Sequence, residues 1–163
     1  MKNKLIYLAS PYSHPMASVR DLRFKQVTEA AAMLIMDNYN IFSPITHSHP
    51  MEIFGYITPA KVGWETWQRF DSFMVGLADE LWVLTLDGWK DSVGVKAEVV
   101  LALGLGKTVR YVTIHAGVIQ DERGDVLAFK LNKEEEDALH SEGKKKRRPS
   151  SRTTGSVLQL SLL

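Results

Sequence analysis

The sequence predicts an α/β fold in which a parallel sheet carries helices on both faces. Short apolar or β-branched runs alternate with longer helical segments, in the order β-α-β-loop-α-β-α-β. Strands that alternate with helices pair in parallel, because each helix returns the chain to the same end of the sheet. Ligands of such sheets bind beyond the carboxyl ends of the strands. The loops after Leu8, Ser43 and Leu86 are therefore the predicted location of a site.

The first three elements follow from local patterns. The apolar run 5–8 ends at a Ser-Pro dipeptide, which indicates a buried strand followed by a loop. Apolar residues recur every three or four positions over 16–38, which predicts a helix, and Ser18 with Asp21 is typical of a capping box near its start. The segment 40–43 is predicted to be the second strand.

The remaining elements lie in the middle of the chain. The segment 44–63 contains three prolines and is expected to be rich in loops. Apolar periodicity predicts helices over 64–78 and 94–105. The segments 81–86 and 108–114 are rich in β-branched and other apolar residues, which favours strands.

Charge and composition divide the chain into a domain over 1–131 and a short helix with a flexible basic tail over 132–163. The segment 118–131 is interpreted as a peripheral hairpin. Residues 1–129 carry 12 basic and 14 acidic side chains and residues 130–163 carry 8 and 5, so the net charge of +1 combines −2 and +3. A tail of this charge on an acidic body supports only weak, salt-sensitive attraction to nucleic acid, which makes a nucleic-acid partner the disfavoured interpretation.

Composition also excludes several function classes. Cysteine is absent, which excludes a disulfide scaffold, a zinc-thiolate site, an iron–sulfur cluster and a cysteine nucleophile. The sequence has neither an apolar run of about 18 residues nor a signal-peptide pattern, so we expect a cytoplasmic protein without membrane contact. Gly104 to Lys107 resembles the end of a phosphate-binding loop, but it runs from helix to strand, the reverse of the motif. Gly106 is therefore predicted to be a helix C-cap, and no ATP, NAD or other cofactor is indicated.

Two histidines, His47 and His49, follow the second predicted strand. Alternate side chains of an extended segment share a face, so the two imidazoles could converge on a metal, but no third ligand is identifiable. We interpret them as polar residues near the mouth of a pocket, without metal.

Two carboxylates are candidate site residues. Asp71 lies on or beside the apolar stripe of its helix, between Trp67 and Met74, and is either a satisfied structural carboxylate or a catalytic one with a raised pKa. Glu98 lies about one turn into the helix that Gly94 opens, and either packs towards the sheet or faces water.

The turn that contains Asp87 directly follows the third predicted strand and leads through Ser92 into the next helix. Backbone amides and short hydroxyls at such a place can bind an anion. A turn also needs Asp and Gly for its own geometry, so both interpretations stand.

Taken together, these motifs resemble the nucleoside 2-deoxyribosyltransferase superfamily over about residues 4–115. The resemblance is closest to small bacterial and phage members with Ser-Pro-Tyr-Ser-His, Ser-His-Pro and Asp-Gly-Trp motifs. It implies a flavodoxin-like, Rossmann-like three-layer fold with a five-stranded, mainly parallel sheet, and cleavage of the bond between a nucleobase and C1′ of a (deoxy)ribose. The residues that carry the resemblance are 5–12, Asp71, 78–79, 92–98 and 106–109.

The resemblance also implies roles for individual residues. Glu98 matches the nucleophile that forms a covalent glycosyl-enzyme intermediate, and Asp71 matches the acid that handles the proton on the base. Tyr7 matches the tyrosine that orients the nucleophile, and Tyr12 occupies a loop position where its ring could stack on a base. The full set of predicted substrate-binding residues is Ser10, Pro11, Tyr12, His47, Asp87, Ser92 and Gly94.

Departures from the family pattern narrow the predicted class of substrate. Family members that act on free nucleosides carry an aspartate at the position of Ser92, whereas serine resembles the nucleoside 5′-monophosphate N-glycosidases. A hydroxyl can donate to a dianionic phosphate that a carboxylate would repel. Lys96 and Ala97 replace the small and aromatic residues common before the nucleophile.

The expected function is therefore an N-glycosidase for (deoxy)nucleoside 5′-monophosphates. Base exchange between deoxynucleosides and a non-catalytic nucleotide sensor are the alternatives. The resemblance also implies a homodimer or larger homo-oligomer, with the tryptophan-rich segment around Trp64 and Trp67 as a possible contact.

Overall fold

Six strands form one mixed sheet in the computed structural model, which describes residues 3–56 and 64–129. The helices and strands in chain order are β1 (Leu5–Ala9), α1 (Ala17–Met36), β2 (Asn40–Phe42), α2 (Pro44–Ile53), α3 (Trp64–Leu77), β3 (Glu80–Leu84), a 3₁₀ turn (Trp89–Asp91), α4 (Val93–Gly104), β4 (Thr108–His115), β5 (Val118–Asp121) and β6 (Val126–Phe129).

The strand order is β2-β1-β3-β4-β5-β6. The four strands β2, β1, β3 and β4 are parallel, while β5 and β6 join antiparallel after β4. The predicted α/β class with a mainly parallel sheet is confirmed. The sheet has six strands and not the predicted five, because both strands of the hairpin expected at the periphery join the four parallel strands.

Alternation along β1 divides the core between the two faces of the sheet. Ile6 and Leu8 pack into a cluster with residues of α1, such as Leu34. Tyr7 and Ala9 point to the other face and pack with residues of α3 and α4. This period-two pattern produces the predicted three layers.

The structure corrects the loop predicted for the start of 44–63. Residues 44–53 form α2, in which Pro44 occupies the first turn and the Ser43 hydroxyl accepts from the Thr46 N–H at 3.4 Å. Proline is tolerated at that position because its missing N–H would have had no helical partner, and serine is a preferred N-cap. The prolines that suggested a loop therefore include one that begins a helix.

Two helix boundaries test the capping predictions. α1 begins at Ala17 after Met16, which makes no side-chain capping bond, so the capping box predicted at Ser18 is wrong. At the end of α4 the prediction is confirmed: Gly106 has a φ of +70° and donates its N–H to the Leu103 carbonyl at 3.0 Å. Only glycine adopts this left-handed conformation without steric cost.

The neighbouring Lys107 has a structural position. Its ammonium donates to the carbonyls of Gly76 at 3.0 Å and of Ala78, at the end of α3. These carbonyls lack helical partners, so a cation there stabilises the helix terminus.

No helix within residues 3–56 and 64–129 is long and apolar enough to cross a membrane. The short helix and basic tail predicted for 132–163, and with them the domain boundary at 131, lie outside the described residues.

Candidate active site

A cavity of about 840 Å³ opens at the carboxyl ends of β1 and β3. The helix after β1 packs on one face of the sheet and the helix after β3 packs on the other, so the two connections diverge at this point. Divergence of neighbouring connections leaves a crevice, which is where open α/β sheets bind their ligands. Both predicted carboxylates, Asp71 and Glu98, line it.

Tyr7 and Glu98 form the best-defined contact of the site. Tyr7 is fully buried on β1, and its hydroxyl donates to Glu98 Oε1 at 2.7 Å. Burial, followed by the nearby charges of Glu98 and Asp71, holds the pKa of the Tyr7 phenol far above its usual range. The phenol therefore stays protonated and remains a donor that fixes the Glu98 carboxyl.

Glu98 and Asp71 behave as an interacting pair of carboxyl groups. Burial raises the pKa of Glu98 to about 8, the Tyr7 hydrogen bond opposes this rise, and the charge of Asp71 adds to it. Burial raises the pKa of Asp71 to about 6. Between these values the pair holds one proton. In the empty cavity that proton lies on Glu98, the carboxyl with the higher pKa, so a nucleophilic Glu98 with an acidic Asp71 requires its transfer to Asp71.

One oxygen of Asp71 is poised for a ligand. Its Oδ1 is buried and has no hydrogen-bond partner among residues 3–56 and 64–129. Leaving a buried polar atom unpaired is costly, so such an atom in a cavity wall indicates a partner supplied by a ligand or water.

Ser92 and Gly94 lie at the amino end of α4, also in the cavity wall. The Ser92 hydroxyl is the N-cap and accepts from the Val95 N–H at 3.3 Å. Because the Ser92 hydroxyl is the acceptor in this hydrogen bond, the bond does not use the proton of that hydroxyl. α4 begins at Val93, one residue before the predicted start, and its amino end carries the partial positive charge of a helix dipole.

The loop after β1 contributes three predicted residues. Ser10 lines the cavity, is 7% exposed, and its hydroxyl has no partner in the described part of the chain. Tyr12 also lines the cavity, and its hydroxyl donates to Glu52 Oε2 at 2.7 Å. Pro11 is fully buried and is not among the residues that line the cavity.

The structure does not bring His47 and Asp87 into the cavity wall. His47 is exposed, and its ring stacks on Phe70 with centroids 5.4 Å apart. Asp87 is also exposed, and its carbonyl accepts from Arg23 Nη2 at 2.9 Å. His49 is buried against Phe24, with centroids 4.1 Å apart, because residues two apart on a helix face different sides. The prediction that His47 and His49 share one face of an extended segment, which a shared metal site would need, is therefore wrong.

A family model described as a domain of unknown function, DUF1937, matches residues 4–114. The chain belongs to the DUF1937 family. No curated protein matches it. Among solved structures it is similar to a 2-deoxyribosyltransferase from the psychrotolerant bacterium Bacillus psychrosaccharolyticus, with 24% sequence identity and a TM-score of 0.48 over 71% of this chain and 77% of that one.

Sequence reasoning missed two arginines of the DUF1937 domain. Arg20 and Arg23 lie one turn apart on α1 and both line the cavity. Arg23 joins two loops, since it donates to the Ser13 carbonyl at 2.9 Å as well as to Asp87. The first turns of α1 directly follow the loop after β1, and this proximity was the available signal.

Gly88 makes room for Arg23. It has a φ of +82°, and a Cβ built there would lie 2.7 Å from Arg23 Nη2. The predicted Asp-Gly turn therefore needs glycine for its backbone conformation, and a side chain at this position would displace the guanidinium.

Proposed function

We propose that this chain is an N-glycosidase of (deoxy)nucleoside 5′-monophosphates that uses Glu98 as its nucleophile. The observation that carries the proposal is the Glu98 carboxyl, which accepts from the buried Tyr7 hydroxyl at 2.7 Å and interacts with Asp71 in one cavity. The motif resemblance to the nucleoside 2-deoxyribosyltransferase superfamily supports the same roles.

The reaction proceeds in two displacements. A Glu98 oxygen attacks C1′, the C1′–N bond breaks with its electron pair moving to the base, and Asp71 donates its proton to the departing base. Water then attacks C1′ of the glycosyl-enzyme, Asp71 accepts the proton of that water, and the Glu98 carboxylate is released. Each carboxyl returns to its starting state, as retaining glycosidases require.

The amino end of α4 is proposed to hold the 5′-phosphate. The Ser92 hydroxyl and the first amides of α4 supply donors, and Arg23 adds positive charge beside the same loop. These donors favour a dianion over a neutral 5′-hydroxyl, against the opposing charge of Asp91 in the same wall. A nucleotide substrate is consistent with the proposed cytoplasmic location.

The test is incubation with nucleosides, deoxynucleosides and their 5′-monophosphates, scored for free base, with Glu98→Ala as the matched variant. We expect base release from at least one 5′-monophosphate and its loss by at least about a hundredfold in the variant. Appearance of a new nucleotide after a second base is added would instead identify base exchange. Nucleotide binding without cleavage of any compound would contradict the proposal and identify a sensor.

We also propose that two copies associate through α3 and α4. Five large apolar side chains on these helices are mostly exposed: Phe73 63%, Leu77 56%, Val93 72%, Val100 70% and Leu103 59%. Such patches on helices that pack together are typical of interfaces. Trp67 instead lines the cavity. Light scattering should give a dimer mass that Val100→Asp converts to a monomer, and a wild-type monomer at high concentration would contradict this.

A further inference from the structure

The cavity has two ends, one on each side of the carboxyl end of β1. The sheet order β2-β1-β3 places the helix after β2 at one end and the loop after β3 at the other. Ser48 and Glu52 line the first, which we call the α2 end. Gly88, Ser92 and Gly94 line the second, which we call the α4 end.

The two α1 arginines contact different ends. Arg23 donates to the carbonyl of Asp87, beside the α4 end. Arg20 Nη2 lies 3.5 Å from Glu52 Oε1, at the α2 end. The cavity therefore offers a guanidinium at each end.

The location of the base follows if the proposed function holds, and the inference rests on it. With phosphate at the α4 end and Glu98 at C1′, the base extends towards the α2 end. The reason is that the base and the 5′-carbon leave the sugar on opposite sides of its ring oxygen.

Glu52 is the best-fixed polar group at the α2 end. Its Oε2 accepts from the Tyr12 hydroxyl at 2.7 Å, and that hydroxyl also contacts His49 Nδ1 at 2.7 Å. The Glu52 side chain is nevertheless 29% exposed and lines the cavity. Because an ionised carboxylate only accepts hydrogen bonds, a base at this end must present N–H donors.

We propose that Glu52 and Arg20 select nucleobases that carry an amino group at the 6-position of a purine or the 4-position of a pyrimidine. Adenine and cytosine each place an amino N–H beside a ring-nitrogen acceptor, which matches a carboxylate beside a guanidinium. Hypoxanthine and uracil carry a carbonyl oxygen where adenine and cytosine carry the amino group. In the same pose that oxygen would face the Glu52 carboxylate and the neighbouring ring N–H would face the Arg20 guanidinium, so two acceptors and two donors would oppose each other without hydrogen bonds.

The test is binding of matched 5′-monophosphates to the Glu98→Gln variant, in which turnover is blocked. The pairs are adenosine with inosine and cytidine with uridine, each differing at one amino or oxo position. We expect the amino member of a pair to bind about tenfold or more tighter. Adding Glu52→Gln should bring the ratio near one, since an amide can donate as well as accept.

Asp91→Asn is the control, because Asp91 is a carboxylate of the same cavity at the α4 end. It should change both members of a pair by the same factor, as would general structural damage. Equal binding of a pair before Glu52 is changed, or a ratio that survives Glu52→Gln, would overturn the inference.

Wild-type turnover, measured separately, distinguishes the two proposals. Cleavage of monophosphates without an amino preference contradicts the base selection alone. An amino preference in binding without cleavage contradicts the glycosidase alone, and no binding of any monophosphate contradicts both.

Discussion

At the scale of residues, the site depends on a pair of carboxyl groups with unlike surroundings. Glu98 receives a hydrogen bond from a phenol that burial keeps protonated, whereas Asp71 Oδ1 has no partner in the described part of the chain. Burial favours the protonated form of Glu98 and raises its pKa to about 8, while the hydrogen bond opposes this and favours the ionised form needed for attack. A protonatable nitrogen of the base would supply the hydrogen-bond partner that Asp71 Oδ1 lacks.

The pair predicts a bell-shaped pH profile of kcat/KM. Activity needs one proton on the pair, so it should rise as pH passes about 6 and fall as pH passes about 8. Asp71→Asn should lower the maximum and remove the alkaline fall, because only ionisation of Glu98 then matters. An alkaline limb that persists in Asp71→Asn would assign that titration to another group.

Ser92 predicts a change of substrate preference that is separable from stability. Ser, Asn and Asp are all strong N-caps, so Ser92→Asn and Ser92→Asp should both keep α4 capped. Only Asp adds a charge that repels phosphate. We expect kcat/KM for 5′-monophosphates to fall at least about tenfold further in Ser92→Asp than in Ser92→Asn. Equal effects of the two variants would place the phosphate elsewhere.

At the scale of elements, local signals predicted some boundaries and missed others. Gly106 is correctly predicted because a glycine at the end of a helix typically adopts the left-handed backbone conformation. The sequence did not predict α2, because residue type alone does not distinguish a proline in the first turn of a helix from a proline in a loop. In α2, His47 and His49 therefore lie on different sides of the helix, whereas in the expected extended segment they would share a face.

The contact between Lys107 and the end of α3 predicts a loss of stability on substitution. Lys107→Met removes a cation from two terminal carbonyls and should lower the free energy of unfolding by about 1–2 kcal/mol in urea titrations. The control is Lys96→Met, an exposed lysine of α4, which should change it by less than about 0.5 kcal/mol. Equal effects at both positions would show that Lys107 contributes only as a surface charge.

At the scale of the whole molecule, the sheet order places the site. Periodicity and motif spacing predicted parallel strands and the carboxylates Asp71 and Glu98, which the fold brings into one cavity. They did not predict Arg20 or Glu52, because the contact between α1 and α2 depends on tertiary packing that no local pattern encodes. The contacts between side chains of separate helices are therefore known from the structure and could not be predicted from the sequence.

The central claim is that Glu98 forms a covalent bond to C1′, and mass spectrometry of the protein tests it most directly. A 2-fluoro nucleoside 5′-monophosphate, whose fluorine slows the second displacement, should add the mass of one fluorosugar phosphate to the protein, on the peptide that contains Glu98. Glu98→Gln should show no addition. Release of base with no adduct, at a rate that Glu98→Gln leaves unchanged, would contradict the account.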